Sequence, residues 1–109
     1  MYGLIAKLRS VAGQRDTLAS ILIGTATMPG CRSYVVAADV ADPDVLWVTE
    51  VWDSAESHRA SLSLPVVQQA IAQGRPLIAG FEERVETKPI GSLGLGATTR
   101  IERRIRQSR

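Results

Sequence analysis

The chain predicts an α+β fold: one antiparallel sheet with helices on a single face. Three observations predict it. Segments near both ends, Tyr2–Arg9 and Phe81–Lys88, alternate with the period of a strand. A third region, Cys31–Val40 and Leu46–Trp52 about Asp42-Pro43-Asp44, has the form of a hairpin. Stretches with helical spacing follow the first strand and the hairpin.

The first strand sets Tyr2, Leu4, Ala6 and Leu8 on one face and Gly3, Ile5, Lys7 and Arg9 on the other. Gly13 ends it. Asp16–Ala26 follows, with Leu18, Ile21, Leu22 and Thr25 on one helical stripe that must face a core. Met28-Pro29-Gly30 stops this helix and turns the chain.

Cys31–Val40 is rich in β-branched and small apolar residues and reads as a strand. At Asp42-Pro43-Asp44 proline presets φ and aspartate bonds its own backbone, so the chain reverses. Leu46–Trp52 is the clearest strand. Leu46, Val48, Glu50 and Trp52 share one face; Trp47, Thr49 and Val51 share the other.

Ser54 is a natural N-cap for a helix over Ala55–Leu62. Pro65 suits the first turn of a second helix, whose stripe is Val67, Ala70 and Ile71 and whose end is Gly74. Leu77–Gly80 reads as a buried connection. The last strand then sets Phe81, Glu83, Val85 and Thr87 against Glu82, Arg84, Glu86 and Lys88.

The resulting order, β-α-β-β-α-β with its second helical region broken in two, is the ferredoxin-like arrangement. Large side chains on both faces of Leu46–Trp52 imply that both faces are covered. The economical cover for the helix-free face is a second copy of the chain, so we expect a homodimer.

With 109 residues the chain is expected to form one domain over 1–91, followed by a Gly-rich and basic tail over 92–109. The tail reads as a solvated extension or as an arm that crosses to a partner subunit. Residues 1–98 carry eight Lys or Arg against ten Asp or Glu, whereas 99–109 carry five Arg against one Glu. The basic character is therefore confined to the tail, and no nucleic-acid partner is expected. No apolar run approaches the roughly 20 residues that span a bilayer, so no membrane role is expected. The single Cys31 offers neither an internal disulfide nor a multi-cysteine metal site, and a reducing, cytoplasmic location is the default.

A few residues are candidates for chemistry. Trp52 is either a core filler or a flat wall for an aromatic ligand; its N–H needs a partner when buried. Glu50, two residues earlier on the same face, must be paired or shift its pKa. It is either an ion-pair partner for an arginine or a polar group in a pocket. His58, the one histidine, is either a surface residue of a short helix or a proton shuttle. Tyr34, in phase with Arg32 and Val36, lines a pocket or fills the core. Arg75 pairs with an acid or holds an anionic substrate. One histidine and one cysteine disfavour a protein-built transition-metal site. No GxGxxG, Walker A or GxSxG pattern occurs, so flavin, nicotinamide and nucleotide cofactors lack their usual signals.

The ordered set of PGC-x-x-Y at Pro29–Tyr34, E-x-W at Glu50–Trp52 and the segment Leu64–Phe81 resembles the antibiotic biosynthesis monooxygenase (ABM) domain family, quinol monooxygenase type, over about Tyr2–Ile90. The resemblance implies a dimeric α/β barrel with a pocket between sheet and helices in each subunit. It also implies oxidation of a quinol or polycyclic phenol by dioxygen, with no cofactor and no metal. Trp52 would be the aromatic wall and His58 the base or donor. Tyr34, Arg75 and Ser61 would contact substrate, and Glu50 would orient its neighbours. Many members carry a histidine nine residues after the motif tryptophan, where this chain has Ser61; His58 lies one helical turn away. Haem-degrading relatives carry an asparagine and a histidine where this chain has Ala6 and Leu62, so haem is disfavoured. The alternatives are a non-catalytic dimeric module that binds a small aromatic metabolite, or the same fold performing another reaction such as isomerisation or haem breakdown.

Overall fold

The computed structural model describes residues 1–25 and 27–94 of the chain. Most of the expected tail, residues 95–109, lies outside the described residues. Four strands, β1 (Tyr2–Ser10), β2 (Cys31–Ala38), β3 (Val45–Trp52) and β4 (Ile78–Thr87), form one antiparallel sheet in the order β2-β3-β1-β4. Helices α1 (Arg15–Ile23), α2 (Ala55–Ser61) and α3 (Pro65–Gly74) accompany it. This is the expected ferredoxin-like α+β fold.

The core lies between the sheet and the helices. Leu4, Ala6 and Leu8 of β1 and Leu46, Val48 and Trp52 of β3 are buried there, against Leu18 of α1 and Val67 and Ala70 of α3. Leu18 is fully enclosed, and α1 approaches α3 closely: a Cβ built on Gly74 would stand 3.3 Å from the Leu18 Cδ1. The opposite face carries Ile5, Val51, Trp47, Val35 and Val85; the last two are half exposed in the single chain.

Three boundaries differ from the sequence expectation. Helix α1 ends at Ile23 because Gly24 caps it, and Thr25 Oγ1 donates to the Leu22 carbonyl at 2.9 Å instead of extending the helix. Strand β2 ends at Ala38 because the Asp39 carboxylate gathers the turn. It accepts from the backbone N–H of Ala41 and Asp42 and from Trp47 Nε1 at 2.8 Å. Strand β4 begins at Ile78, so Leu77–Gly80 is not a buried connection. Ile78 and Gly80 pair with Ser10 and Arg9 of β1, and Ala79 is exposed.

Three register shifts also break the expected alternation, one of them at Ala79, between the Arg9–Gly80 and Ser10–Ile78 pairs. Lys7 opposes Glu83 but Leu8 opposes Phe81, so Glu82 is the extra residue and Phe81 turns to the face of Arg84 and Glu86. On β2, Cys31 opposes Trp52 and Ser33 opposes Val51, so Arg32 is extra and instead pairs with Asp53.

Helix α2 is fixed from two sides. The Ser54 hydroxyl accepts from the Ser57 N–H at 3.1 Å, as an N-cap should. Gly30, at φ +81°, presses on the same turn: a Cβ there would lie 2.7 Å from Ser57 Cβ. Gly13 has a similar φ of +77° but open space around it. Gly13→Ala should therefore cost only the left-handed backbone penalty, about 1–2 kcal/mol. Gly30→Ala should cost clearly more, because contact with α2 is added to that penalty. Urea unfolding of both variants tests this; equal losses would mean that the turn does not press on α2.

Candidate functional site

The helices cover β2, β3 and β1 but leave a cavity of about 580 Å³ between them and the sheet. Its walls are mainly aliphatic: Leu4, Ala6, Leu8 and Val48 from the sheet; Leu18, Leu22, Val67 and Ile71 from the helices. The volume falls within the range of small-molecule sites. Trp52, His58, Tyr34, Glu50, Ser61 and Arg75, the six residues singled out from the sequence, all line it.

Three lining side chains, Trp52, Glu50 and His58, meet in its wall, with Tyr2 beside His58. Trp52 is 1% exposed and donates its Nε1–H to Glu50 Oε1 at 3.0 Å. The indole donor thus answers the carboxylate two residues earlier on the same strand face. His58 Nε2 lies 4.0 Å from the same Glu50 oxygen. Its ring meets the Trp52 ring edge-on at 5.4 Å and the Tyr2 ring at 5.5 Å. The imidazole is therefore held between two aromatics, while Tyr2 is anchored by its hydroxyl, which donates to Glu86 Oε2 at 2.9 Å.

Burial pushes the Glu50 carboxyl up from its ordinary range, and the Trp52 N–H, His58 and Arg84 offset part of that. No arginine forms an ion pair with Glu50 among the described residues, so of the two readings of Glu50 the geometry supports the pocket. Burial, with Glu50 nearby, also raises the Tyr34 phenol, which faces Glu50 across β2 and β3. Cys31 is raised for the same first reason and packs beside Trp52. The buried Ser61 donates its hydroxyl to the His58 carbonyl at 2.6 Å, which leaves it a structural role in α2 beside its place in the wall.

The exposed lining residues mark the mouth: Leu62, Ile71 and Arg75 from the helical side, and Ala79, Phe81 and Arg84 from β4. Sequence reasoning missed Tyr2, Phe81 and Arg84. Tyr2 was in phase with the core face, but its neighbour across the sheet, Trp52, follows only from strand pairing. Phe81 was assigned to the wrong face because the bulge at Glu82 has no local signature.

Among the described residues no group of three or more His, Cys, Asp or Glu stands where it could hold a metal, and no helix is long and apolar enough to cross a membrane.

Residues 1–73 match the family model for the antibiotic biosynthesis monooxygenase domain. A candidate antibiotic biosynthesis monooxygenase from Chloroflexus aurantiacus is 64% identical in sequence, with a TM-score of 0.85 over 87% of this chain and 98% of that one. A second, from Deinococcus radiodurans, is 26% identical, with a TM-score of 0.69 over 86% of this chain and 97% of that one. A third, from Nitrosomonas europaea, shares the fold alone: 12% identity and a TM-score of 0.72 over 84% and 100% of the two chains. No match is found among the curated proteins.

Because the folded carboxyl of Glu50 is raised, its contribution to stability is fully present below its ordinary value of 4.5 and is lost as pH rises. Glu50→Gln keeps an oxygen for the Trp52 N–H without the charge. Its stability relative to the parent protein should therefore increase as pH is raised from about 4 to 8. Urea midpoints across that range check this; a difference independent of pH would show that burial does not perturb Glu50.

Proposed function

Because the chain belongs to the antibiotic biosynthesis monooxygenase family, we propose that its cavity binds a quinol or polycyclic phenol and oxidises it with dioxygen, without a bound cofactor. The observation that carries this reading is the shared Glu50 oxygen. It lies 3.0 Å from Trp52 Nε1 and 4.0 Å from His58 Nε2, on the wall of an aliphatic cavity.

The geometry supports the following sequence. An aromatic substrate lies against Trp52 with its hydroxyl toward His58. The imidazole, with Glu50 to stabilise its protonated form, takes the phenolic proton. The electron-rich phenolate passes an electron to dioxygen, and the radical pair joins to form a C–O bond at a ring carbon bearing hydrogen. The peroxide anion takes back the proton from His58. Loss of the C–H proton and cleavage of the O–O bond then leave a carbonyl and water. One phenol and one dioxygen give one quinone and one water. The aliphatic walls exclude solvent, which favours the uncharged reactant and protects the anion from side reactions. The protein supplies position, a base and a dry volume.

We assign the second role of the sheet to self-association. Ile5, Val35, Val51 and Val85 give its helix-free face an apolar surface, and Lys7 lies over the Trp47 ring at 5.4 Å. A second copy packed sheet on sheet would cover these residues.

Oxygen uptake by metal-stripped protein, with each quinol's spontaneous oxidation subtracted, tests the reaction. Uptake insensitive to chelator and equimolar with quinone is expected. His58→Ala should lower the turnover by roughly 10²–10⁴-fold, as for loss of a general base. Unchanged turnover in that variant would remove His58 from the mechanism. Binding of the aromatic with no oxygen uptake would favour a binding module.

At micromolar concentration the protein should sediment at twice its chain mass of 11.8 kDa. A sharp monomer boundary would contradict the sheet-on-sheet dimer.

A further inference from the structure

We infer that the substrate is an aromatic acid: a phenol whose anionic group, a carboxylate or its equivalent, is seated at the cavity mouth by Arg75 and Arg84. The inference deepens the proposed reaction and rests on it only for what happens at the buried end.

The mouth is unusual in its charge. The described residues carry eight Lys or Arg against ten Asp or Glu, so the domain is slightly acidic. The cavity lining reverses this balance. It contains the exposed Arg75 and Arg84, and its one acid, Glu50, is buried.

The two arginines of the lining differ from Arg9, Arg15 and Arg32 in how they are satisfied. Arg9, Arg15 and Arg32 are each within 3.2 Å of an aspartate oxygen. Arg75 has no carboxylate partner among the described residues. Arg84 has a long contact to Glu86, 3.7 Å, and also interacts with the Tyr2 hydroxyl and, through space, with Glu50; Glu86 itself already accepts from the Tyr2 hydroxyl at 2.9 Å. The other β4 acid near this end, Glu82, is tied to Arg9. Arg75 therefore retains its donors for an incoming anion, and Arg84, a planar fork with five N–H groups, retains some of its own. Arginine suits this task because its planar fork matches a carboxylate.

Between the two cations the lips are apolar and open. Phe81 is 66% exposed, Leu62 45% and Ile71 39%. Exposed apolar groups flanked by cations, above an aliphatic cavity, fit a ligand with a flat apolar body and one negative end. With the phenol directed to His58 and Glu50, the anionic end projects to the arginines. A neutral phenol would fill the same cavity but leave Arg75 without a carboxylate partner among the described residues.

Calorimetric titration under nitrogen tests this, with 6-hydroxy-2-naphthoate and its carboxamide as the pair of probes. They have nearly the same shape and differ in charge. The carboxylate should bind about tenfold more tightly than the amide, as a charge-assisted pair at a partly exposed site allows. In Arg75→Gln/Arg84→Gln the preference should vanish while the amide binds as before. Both substitutions are at exposed positions, and circular dichroism would confirm the fold. Equal affinities in the parent protein, a preference that survives the double substitution, or no binding of the carboxylate up to millimolar concentration would each overturn the inference. The titration requires no oxygen. A protein that prefers the acid but consumes no dioxygen would contradict the proposed reaction and leave the anion seat standing.

Discussion

A carboxylate on the core face of a central strand is the constraint around which this domain is arranged. An ionised Glu50 without partners would cost several kcal/mol. The chain answers it locally, with an indole N–H two residues along the same strand, and from a distance, with an imidazole on α2. These partners explain the surroundings. Trp52 must keep its indole edge toward Glu50, which presents its ring to the cavity. His58 must keep to the first turns of α2, which is why α2 is both capped by Ser54 and pressed by the Gly30 turn.

The second determinant is incomplete coverage. Three short helices cannot cover four strands, and β4 lies beyond them. The core therefore separates into one cluster around Ala6, Leu8 and Val48 and another around Met28, Trp52 and Val67, with Tyr34 touching both. The cavity occupies the space between the helices and the sheet. Unfilled apolar volume of this size weakens a core. A chain of 109 residues that retains such a volume, with Trp52, Glu50 and His58 together in its wall, is consistent with the proposed ligand site.

Local signals made most of the fold legible. Period-two alternation, Ser54 before α2, Pro65 opening α3 and Gly74 closing it are properties of adjacent residues, and the elements follow them. The candidate site was also largely legible, because Glu50 and Trp52 share a strand face by parity alone and His58 follows at a short, countable distance. Boundaries were less so. Asp39 ended β2 early because its carboxylate collects three donors, one of them from Trp47, eight residues away.

By itself, then, the sequence determined the order of elements, the face that β1 and β3 turn inward, and the chemistry available at Glu50, Trp52 and His58. These depend on residues close along the chain, where backbone periodicity decides direction. The tertiary structure decided that Tyr2 stands beside His58, that one extra residue at Glu82 turns Phe81 to the cavity, and that Arg75 and Arg84 line one cavity. Those relations depend on strand register and on where helices stop covering the sheet. Both are set by the packing of distant segments, for which no local pattern of residues substitutes.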